Sequence, residues 1–290
     1  MPSVEANGLA IEYHAEGAGP PLVMLHGATS SGREDFLAQL PAFKRAFRLY
    51  VPDARGHAGT IWDTRRGFST EMLVADLAAF ADALELETFH LLGFSMGAMT
   101  ALQFAVRHAE RLRTLVLVGC DTQREPRTAV SRRLMDPARI DREDPAWAAE
   151  LEHRHARQGA RAWRDLLPAI AADVATQPLL EPKDLRHVTS PTLVVVGDRD
   201  PFVPVFHAEQ LYRQLPHSQL FVVPGCEHNV SALRPGLFAD ACRLFYRGTE
   251  RVATERAGVA RTRAEVARSP SPFSVEQRTM TQPSGPSEAE

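Results

Sequence analysis

The sequence predicts an α/β domain built around a mostly parallel, doubly wound β-sheet. Short continuous apolar runs, typical of strands buried on both faces, recur at 22–25, 114–118 and 192–196. Helical patterns separate these runs, and this alternation indicates parallel strands joined by helices that cover both faces of the sheet. The segment 93–97, Gly-Phe-Ser-Met-Gly, joins another apolar run to a helical pattern. Ligands of such sheets bind beyond the carboxyl ends of the strands, where this segment is expected to lie.

The composition is that of an ordinary globular protein. With 290 residues, of which 44% are hydrophobic and 24% charged, the chain can form one large α/β domain with a substantial core. A formal net charge of -3 gives no electrostatic reason to expect nucleic acid or an anionic membrane as a partner. No apolar run approaches the length of a membrane-spanning helix, so no membrane partner is expected.

The N-terminus and the cysteines lead us to expect a cytoplasmic protein. The first residues contain neither a basic segment nor an apolar core, so no signal peptide is visible. The cysteines, Cys120, Cys226 and Cys242, are odd in number, far apart and mostly in apolar surroundings. We expect them to be reduced, buried and structural.

Local signals place further elements along the chain. Asn7-Gly8, flanked by alternating residues, predicts an N-terminal hairpin. Ser69 or Thr70 is suited to cap a helix. Apolar residues at helical spacing predict helices over 36–47, 69–84, 205–215 and about 237–246.

The alternation of strands and helices stops after residue 121. The segment 122–189 is rich in arginine, glutamate and aspartate, is helical in composition and has no strand signal. We expect it to be a helical lid inserted over the mouth of the sheet, with residues 1–121 and 190–247 forming the core. Residues 248–290 have little periodicity and contain Ser/Pro-rich stretches, which predicts a largely disordered tail.

The turn at Ser95 is the strongest single motif. A G-x-S-x-G turn between a strand and a helix holds the serine in a strained backbone conformation and projects its hydroxyl above the edge of the sheet. Gly93 and Gly97 are expected for steric reasons, because a Cβ at either position would collide with a neighbouring strand or helix.

Five motifs together resemble the α/β-hydrolase superfamily over roughly residues 4–247. They are His26-Gly27, the segment 53–57 (Asp-Ala-Arg-Gly-His), the segment 93–97, the segment 197–200 (Gly-Asp-Arg-Asp) and the segment 225–228 (Gly-Cys-Glu-His). Their catalytic members occur in the order Ser, Asp, His, which is the order of this superfamily. The resemblance implies an eight-stranded sheet and no cofactor.

The resemblance also implies a catalytic triad. Ser95 is the expected nucleophile and His228 the expected base that activates it. Asp200 is the favoured acid that orients His228, with Asp198 and then Asp121 as alternatives. A metal site is not expected, since neither the Asp198/Asp200 pair nor the His153/His155 pair has a suitable third ligand or geometry.

The same resemblance assigns the oxyanion hole to the backbone N–H groups of Ala28 and Met96. His26 and His57, in two other matching loops, are expected to make structural hydrogen bonds. Eight residues are expected to shape the substrate pocket, namely Thr29, Phe94, Met96, Met135, Trp147, Trp163, Phe202 and Val203. Packing in the core without substrate contact is an equally good interpretation of each. A pocket of this composition suits an apolar acyl or aryl group.

These residues together predict a serine hydrolase that acts on a small molecule through an acyl-enzyme on Ser95. A carboxylic ester is the expected substrate, and a lactone, a thioester or a C–C bond next to a carbonyl would use the same residues. A ligand-binding receptor without turnover is the alternative from another functional class. The oligomeric state stays open.

Overall fold

The sheet contains eight strands in the part of the chain that the computed structural model describes, residues 1–159 and 161–249. The strands are β1 (Ser3–Ala6), β2 (Leu9–Glu16), β3 (Pro21–Leu25), β4 (Arg48–Pro52), β5 (Phe89–Phe94), β6 (Leu112–Val118), β7 (Thr192–Gly197) and β8 (Ser218–Val223). They lie in the order β1-β2-β4-β3-β5-β6-β7-β8. Strands β3 to β8 are parallel, and β2 runs antiparallel to both β1 and β4. The predicted mostly parallel, eight-stranded sheet is confirmed.

Helices cover both faces of the sheet. They are α1 (Gly32–Phe36), α2 (Leu40–Phe43), α3 (Thr70–Ala83), α4 (Met96–Arg107), α5 (Arg127–Leu134), α6 (Pro137–Glu143), α7 (Pro145–Arg154), α8 (Trp163–Thr176), α9 (Pro182–Leu185), α10 (Val205–Gln214), α11 (Val230–Leu233) and α12 (235–249). Ser69 caps α3, because its hydroxyl accepts the N–H of Met72 at 3.2 Å. The N-terminal hairpin turns at Asn7 (φ 50°) and Gly8 (φ 73°), and two successive positive φ angles are those of a tight hairpin turn.

The single helix predicted over 36–47 is wrong, because α1 and α2 are separate. Pro41 lies in the first turn of α2. Proline has no N–H for the carbonyl four residues earlier, and its ring clashes with that carbonyl, so a helix cannot continue through this position. Leu37, which fitted the helical spacing, is 58% exposed in the connection between the two helices.

The core has two layers, one on each face of the sheet. One layer is built by α3, α4 and α10 against the sheet and includes Phe80, Phe104 and Leu211. The other includes Phe36, Phe43 and Phe238, from α1, α2 and α12. All three cysteines are free and buried in these layers, as predicted.

The insertion between β6 and β7 consists of helices α5 to α9, and no strand occurs among its described residues. Its own apolar cluster is centred on Leu151, Trp163 and Leu167. Gln158 fastens this insertion to the core, since its side-chain amide donates to the carbonyl oxygens of Ala58 at 3.0 Å and Thr60 at 2.9 Å. That the insertion is a lid with the boundaries 122–189 stays a prediction.

The predicted tail lies almost wholly outside the described residues, apart from 248 and 249, which continue α12. Within 1–159 and 161–249, no helix is both long and apolar enough to span a membrane.

A buried ion pair joins the loop after β4 to α3. Arg55 donates through Nε and Nη2 to the two carboxylate oxygens of Asp76 at 2.6 and 2.5 Å, and both residues are under 10% exposed. Asn7 donates to the same carboxylate at 2.7 Å, and the guanidinium carbon of Arg55 lies 4.5 Å from the centroid of the Trp62 ring. The pair therefore ties three distant parts of the chain together.

We expect Asp76→Ala to lower the free energy of unfolding by about 3–5 kcal/mol, because it leaves the Arg55 charge buried without a partner. Glu209→Ala is the matched control, since Glu209 pairs with Arg213 one turn along α10 in an exposed position. That variant should cost about 0.5 kcal/mol or less. Urea denaturation of both variants measures the difference, and a loss below about 1 kcal/mol for Asp76→Ala would contradict the role of the pair.

Besides His57, whose pKa burial also lowers, two buried histidines have pKa values far below the ordinary range. Burial lowers the pKa of His90 to about 4, and the Arg113 charge acts in the same direction. His90 contacts the hydroxyl of Thr114, its partner on the neighbouring strand β6, at 2.8 Å. Burial also lowers the pKa of His155, at the end of α7, to about 4.

These histidines should make the protein sensitive to acid. Between pH 6.5 and about 4 the unfolded chain binds protons at these sites and the folded chain does not, so stability falls as the pH falls through this window. We expect each histidine to account for roughly 2 kcal/mol of the loss between pH 7 and pH 5. Denaturation at both pH values should show a smaller loss for His90→Gln than for the wild type. The exposed His187 provides the control, because His187→Gln should leave the loss unchanged.

Candidate active site

Ser95 lies in a sharp turn between β5 and α4. Its backbone angles are φ 53° and ψ -114°, a conformation that residues with a side chain rarely adopt. A Cβ at Gly93 would lie 2.3 Å from the carbonyl oxygen of Gly97, and a Cβ at Gly97 would lie 2.3 Å from that of Leu25. The predicted steric need for both glycines is therefore present in the structure.

A chain of hydrogen bonds runs from Ser95 through His228 to Asp200. The Ser95 hydroxyl lies 2.8 Å from His228 Nε2, and His228 Nδ1 donates to Asp200 Oδ2 at 2.7 Å. The other oxygen of Asp200 accepts the N–H groups of Phe202 at 2.8 Å and Val203 at 3.0 Å. Because Asp200 is 7% exposed and its oxygens are engaged, the carboxylate is fixed against the imidazole.

The alternative acids are engaged elsewhere. Asp198 is exposed and accepts the N–H of Cys226 at 3.1 Å, which holds the loop before His228. Asp121, fully buried at the end of β6, accepts from His207 Nδ1 at 2.8 Å.

Aromatic rings pack against His228 on two sides. The Phe202 ring lies 4.3 Å and the Phe94 ring 5.1 Å from the imidazole, measured between ring centroids. A Cβ at Gly119 would lie 2.7 Å from His228 Cε1, so the backbone after β6 closes a further side. The imidazole is thus held in one orientation by packing as well as by Asp200.

The loop that carries Ala28 is held by side chains from three directions. Asp35 accepts the N–H of Gly27 at 2.8 Å, and burial raises the pKa of its carboxyl. His26 Nε2 accepts the N–H of Ala54 at 2.9 Å, and His57 Nε2 lies 2.9 Å from the carbonyl oxygen of Ala28. Both histidines therefore make the structural hydrogen bonds that were predicted for them.

The backbone N–H groups of Ala28 and Met96 have no protein acceptor among residues 1–159 and 161–249. Both residues line the same cavity as Ser95. Unpaired donors beside a serine hydroxyl are what an oxyanion hole requires.

The cavity above Ser95 has a volume of about 260 Å³. Of the residues predicted to shape it, six line its wall, namely Thr29, Phe94, Met96, Met135, Trp147 and Phe202. Trp163 and Val203 are not among the lining residues. Trp163 is 1% exposed within the apolar cluster of the insertion, and Val203 is fully buried against the sheet. Val203 contributes its N–H to Asp200 rather than its side chain to the pocket.

Several polar residues of the cavity wall were missed by the sequence reasoning, namely Asp35, Thr70, Arg127, Asp173 and Gln177. Arg127 follows the carboxyl end of β6 by nine residues, which is the signal that could have pointed to it. Arg124 lies close to this region, but it donates to the carbonyl oxygens of Ala175 and Gln177 at the end of α8.

The two histidines considered as a metal pair differ in burial. His155 is 1% exposed and accepts the N–H of Ala58 at 3.1 Å, whereas His153 is exposed. No group of three or more His, Cys, Asp or Glu side chains with metal-binding geometry occurs among the residues that the structure covers.

The arrangement has the parts needed to attack a carbonyl carbon. His228 is within reach of the Ser95 proton, Asp200 can stabilise the imidazolium that results, and two N–H groups are available for an oxygen that becomes negative. Without the imidazole contact, a serine hydroxyl is a weak nucleophile.

Comparison with known proteins identifies relatives that are named as hydrolases. The 2-hydroxy-6-oxo-2,4-heptadienoate hydrolase of Pseudomonas putida (strain F1) is 29% identical over 78% of this chain and 88% of its own. The serine hydrolase BPHL of Mus musculus is 28% identical over 78% of this chain and 79% of its own. The solved meta-cleavage product hydrolase of Pseudomonas fluorescens IP01 superposes with a TM-score of 0.73 at 21% identity, over 85% of this chain and 97% of that one, and shows the same fold.

The family model described as the alpha/beta hydrolase family matches residues 22–241. This range includes β3 apart from Pro21, strands β4 to β8, and the residues Ser95, Asp200 and His228. The protein therefore belongs to the alpha/beta hydrolase family.

Proposed function

We propose that the protein is a serine hydrolase that cleaves a carboxylic ester of a small molecule through an acyl-enzyme on Ser95, without a cofactor. The observation that carries this proposal is the continuous hydrogen-bonded chain from Ser95 through His228 to Asp200 at the wall of a cavity. Lactones and thioesters present the same kind of carbonyl and belong to the same proposal.

The reaction follows from the contacts. His228 Nε2 takes the proton of the Ser95 hydroxyl while Oγ attacks the substrate carbonyl carbon. The carbonyl oxygen becomes negative and is stabilised by the N–H groups of Ala28 and Met96. The imidazolium then gives its proton to the leaving alkoxide, which departs as an alcohol. Water, deprotonated by His228, cleaves the acyl-enzyme to release the acid and restore Ser95.

Hydrolysis of a carbon–carbon bond next to a carbonyl is the second candidate. The Pseudomonas putida relative is named for a compound that carries a ketone and a carboxylate but no ester, so hydrolysis of that compound breaks a C–C bond. The same serine and histidine would serve this reaction. The two candidates are separated by measuring kcat/KM for 2-hydroxy-6-oxo-2,4-heptadienoate and for p-nitrophenyl esters. A higher value for the first favours C–C hydrolysis, and a higher value for the esters favours ester hydrolysis.

A receptor that binds its ligand without turnover remains the alternative from another class. Such a protein would show a saturable thermal shift with one ligand and negligible hydrolysis of small esters.

We expect a fluorophosphonate probe to label the wild type and to fail on Ser95→Ala, since the probe reacts with an activated serine. His228→Ala should label at least 100-fold more slowly, because the hydroxyl loses its base. Turnover of p-nitrophenyl esters of graded acyl length should fall in parallel, and circular dichroism checks that both variants fold. A folded wild type that neither labels nor cleaves any ester of the panel would overturn the proposal.

The choice of acid can be tested separately. We expect Asp200→Asn to lower kcat by roughly 10⁴-fold, because an amide at this position favours the wrong imidazole tautomer and cannot stabilise the imidazolium. Asp198→Asn is the matched control two residues away, and it should change kcat by less than about 10-fold, since Asp198 Oδ1 accepts the Cys226 N–H while His228 Nδ1 is paired with Asp200. A larger loss for Asp198→Asn than for Asp200→Asn would reverse the assignment.

A further inference from the structure

Arg127 is a buried cation in the wall of the Ser95 cavity. It is the first residue of α5, and its side chain is 8% exposed. A guanidinium in such a place is costly unless its donors are satisfied.

The Nε and Nη2 atoms of Arg127 have no hydrogen-bond partner among residues 1–159 and 161–249. These two atoms form the side of the guanidinium that binds a carboxylate in a bidentate manner. Arg55 shows that geometry in the same molecule, since its Nε and Nη2 bind the two oxygens of Asp76. The corresponding side of Arg127 is left without a carboxylate.

The carboxylate nearest to Arg127 among the described residues does not satisfy it. Asp121 Oδ1 lies 3.9 Å from Nη1, which is too long for a hydrogen bond, and Oδ1 has no other partner in the described chain. The second oxygen of Asp121 is committed to His207. Nη1 itself contacts the thioether sulfur of Met99 at 2.8 Å, and a thioether is a weak acceptor.

Arg127 lines the same cavity as Ser95 and is linked to the helix that follows the nucleophile. The Met99 that it contacts lies on α4, and its N–H donates to the carbonyl oxygen of Ser95 at 3.0 Å. One helical turn, about 5.4 Å along the axis, therefore separates the backbone of Ser95 from that of Met99, and the guanidinium contacts the Met99 side chain. A substrate that reaches from Ser95 to Arg127 needs several carbon atoms between its two ends.

The other acid in this part of the cavity, Asp173, is engaged by Thr70 through one oxygen, Oδ2. Asp173 accepts both the N–H of Thr70 at 3.0 Å and its hydroxyl at 2.6 Å. Burial raises the pKa of this carboxyl. The wall near α5 and α8 also contains the polar residues Ser131 and Gln177 and the apolar residues Leu134, Met135, Ile170 and Val174.

We propose that Arg127 is a specificity-determining residue that binds a carboxylate of the substrate, several carbon atoms away from the bond that Ser95 attacks. The proposal rests on the proposed function and narrows its substrate class to half-esters and related monoacids. Entry of the carboxylate supplies the acceptor that Nε and Nη2 lack.

The test compares two substrates that differ only in charge, mono-p-nitrophenyl adipate and its amide analogue, p-nitrophenyl adipamate. We expect Arg127→Gln to lower the ratio of their kcat/KM values, adipate over adipamate, by roughly 10- to 100-fold. Arg127→Lys should give a smaller fall, because it keeps the charge and loses the bidentate geometry. Arg132→Gln is the matched control on the exposed side of α5, and its ratio should equal that of the wild type.

Arg127→Gln leaves Asp121 without its neighbouring charge, so the double variant Arg127→Gln/Asp121→Asn is measured as well. A folded double variant with the same lowered ratio supports the proposal. An unchanged ratio in folded Arg127→Gln or in the double variant, with adipamate still turned over, overturns the role of Arg127 and leaves the proposed serine hydrolase intact.

A binding measurement separates the two proposals if neither ester is cleaved. Adipate, added to the wild type, should raise the Tm in a saturable manner, and the shift should be lost in the double variant. A wild type that shows this Tm shift with adipate, but is neither labelled by the probe nor active on the esters, would overturn the hydrolase proposal and leave carboxylate binding at Arg127 intact. An equal shift, or no shift, in both proteins would overturn carboxylate binding at Arg127.

Discussion

The contact on which the active site depends is between backbones. At the turn after β5, the chain passes so close to itself and to the end of β3 that a Cβ at Gly93 or Gly97 would lie 2.3 Å from a carbonyl oxygen. This approach lets α4 start directly above the sheet and holds Ser95 at a positive φ. The same contact brings the end of β3, and with it the loop that carries Ala28, next to the first N–H groups of α4. The positions of the nucleophile and of the oxyanion donors are therefore fixed by this one close backbone contact.

Around this point, buried polar groups hold one another in place from parts of the chain that are far apart in sequence. Asp200 is fixed by two backbone N–H groups of its own loop and in turn fixes His228. The loop of Ala28 is fixed by Asp35, His26 and His57. Each of these polar groups would be costly in the interior if its partner were missing, so the site is assembled as a network rather than residue by residue.

Much of this architecture could be predicted from the sequence, because strands buried on both faces have a strong local signature and the turn at Ser95 has a steric one. The sheet, the hairpin at Asn7 and the helix capped by Ser69 follow from such local rules. The wall of the cavity does not. Arg127, Asp173 and the buried Trp163 depend on how the inserted helices pack, and no short pattern encodes that packing. The break at Pro41 was a local signal that the apolar spacing around it concealed.

The strands on either side of the insertion are neighbours in the sheet, with Val118 opposite Val195. The chain leaves the sheet at β6 and returns one strand away, so the ends of the inserted segment are held together by the sheet and not by the helices between them. The entropy of closing such a segment rises slowly with its length, by about 0.6 kcal/mol for each doubling. The sheet can therefore accept inserted segments of very different length and sequence between β6 and β7. Selection can change the inserted helices that line the cavity while Ser95, His228 and Asp200 keep their positions.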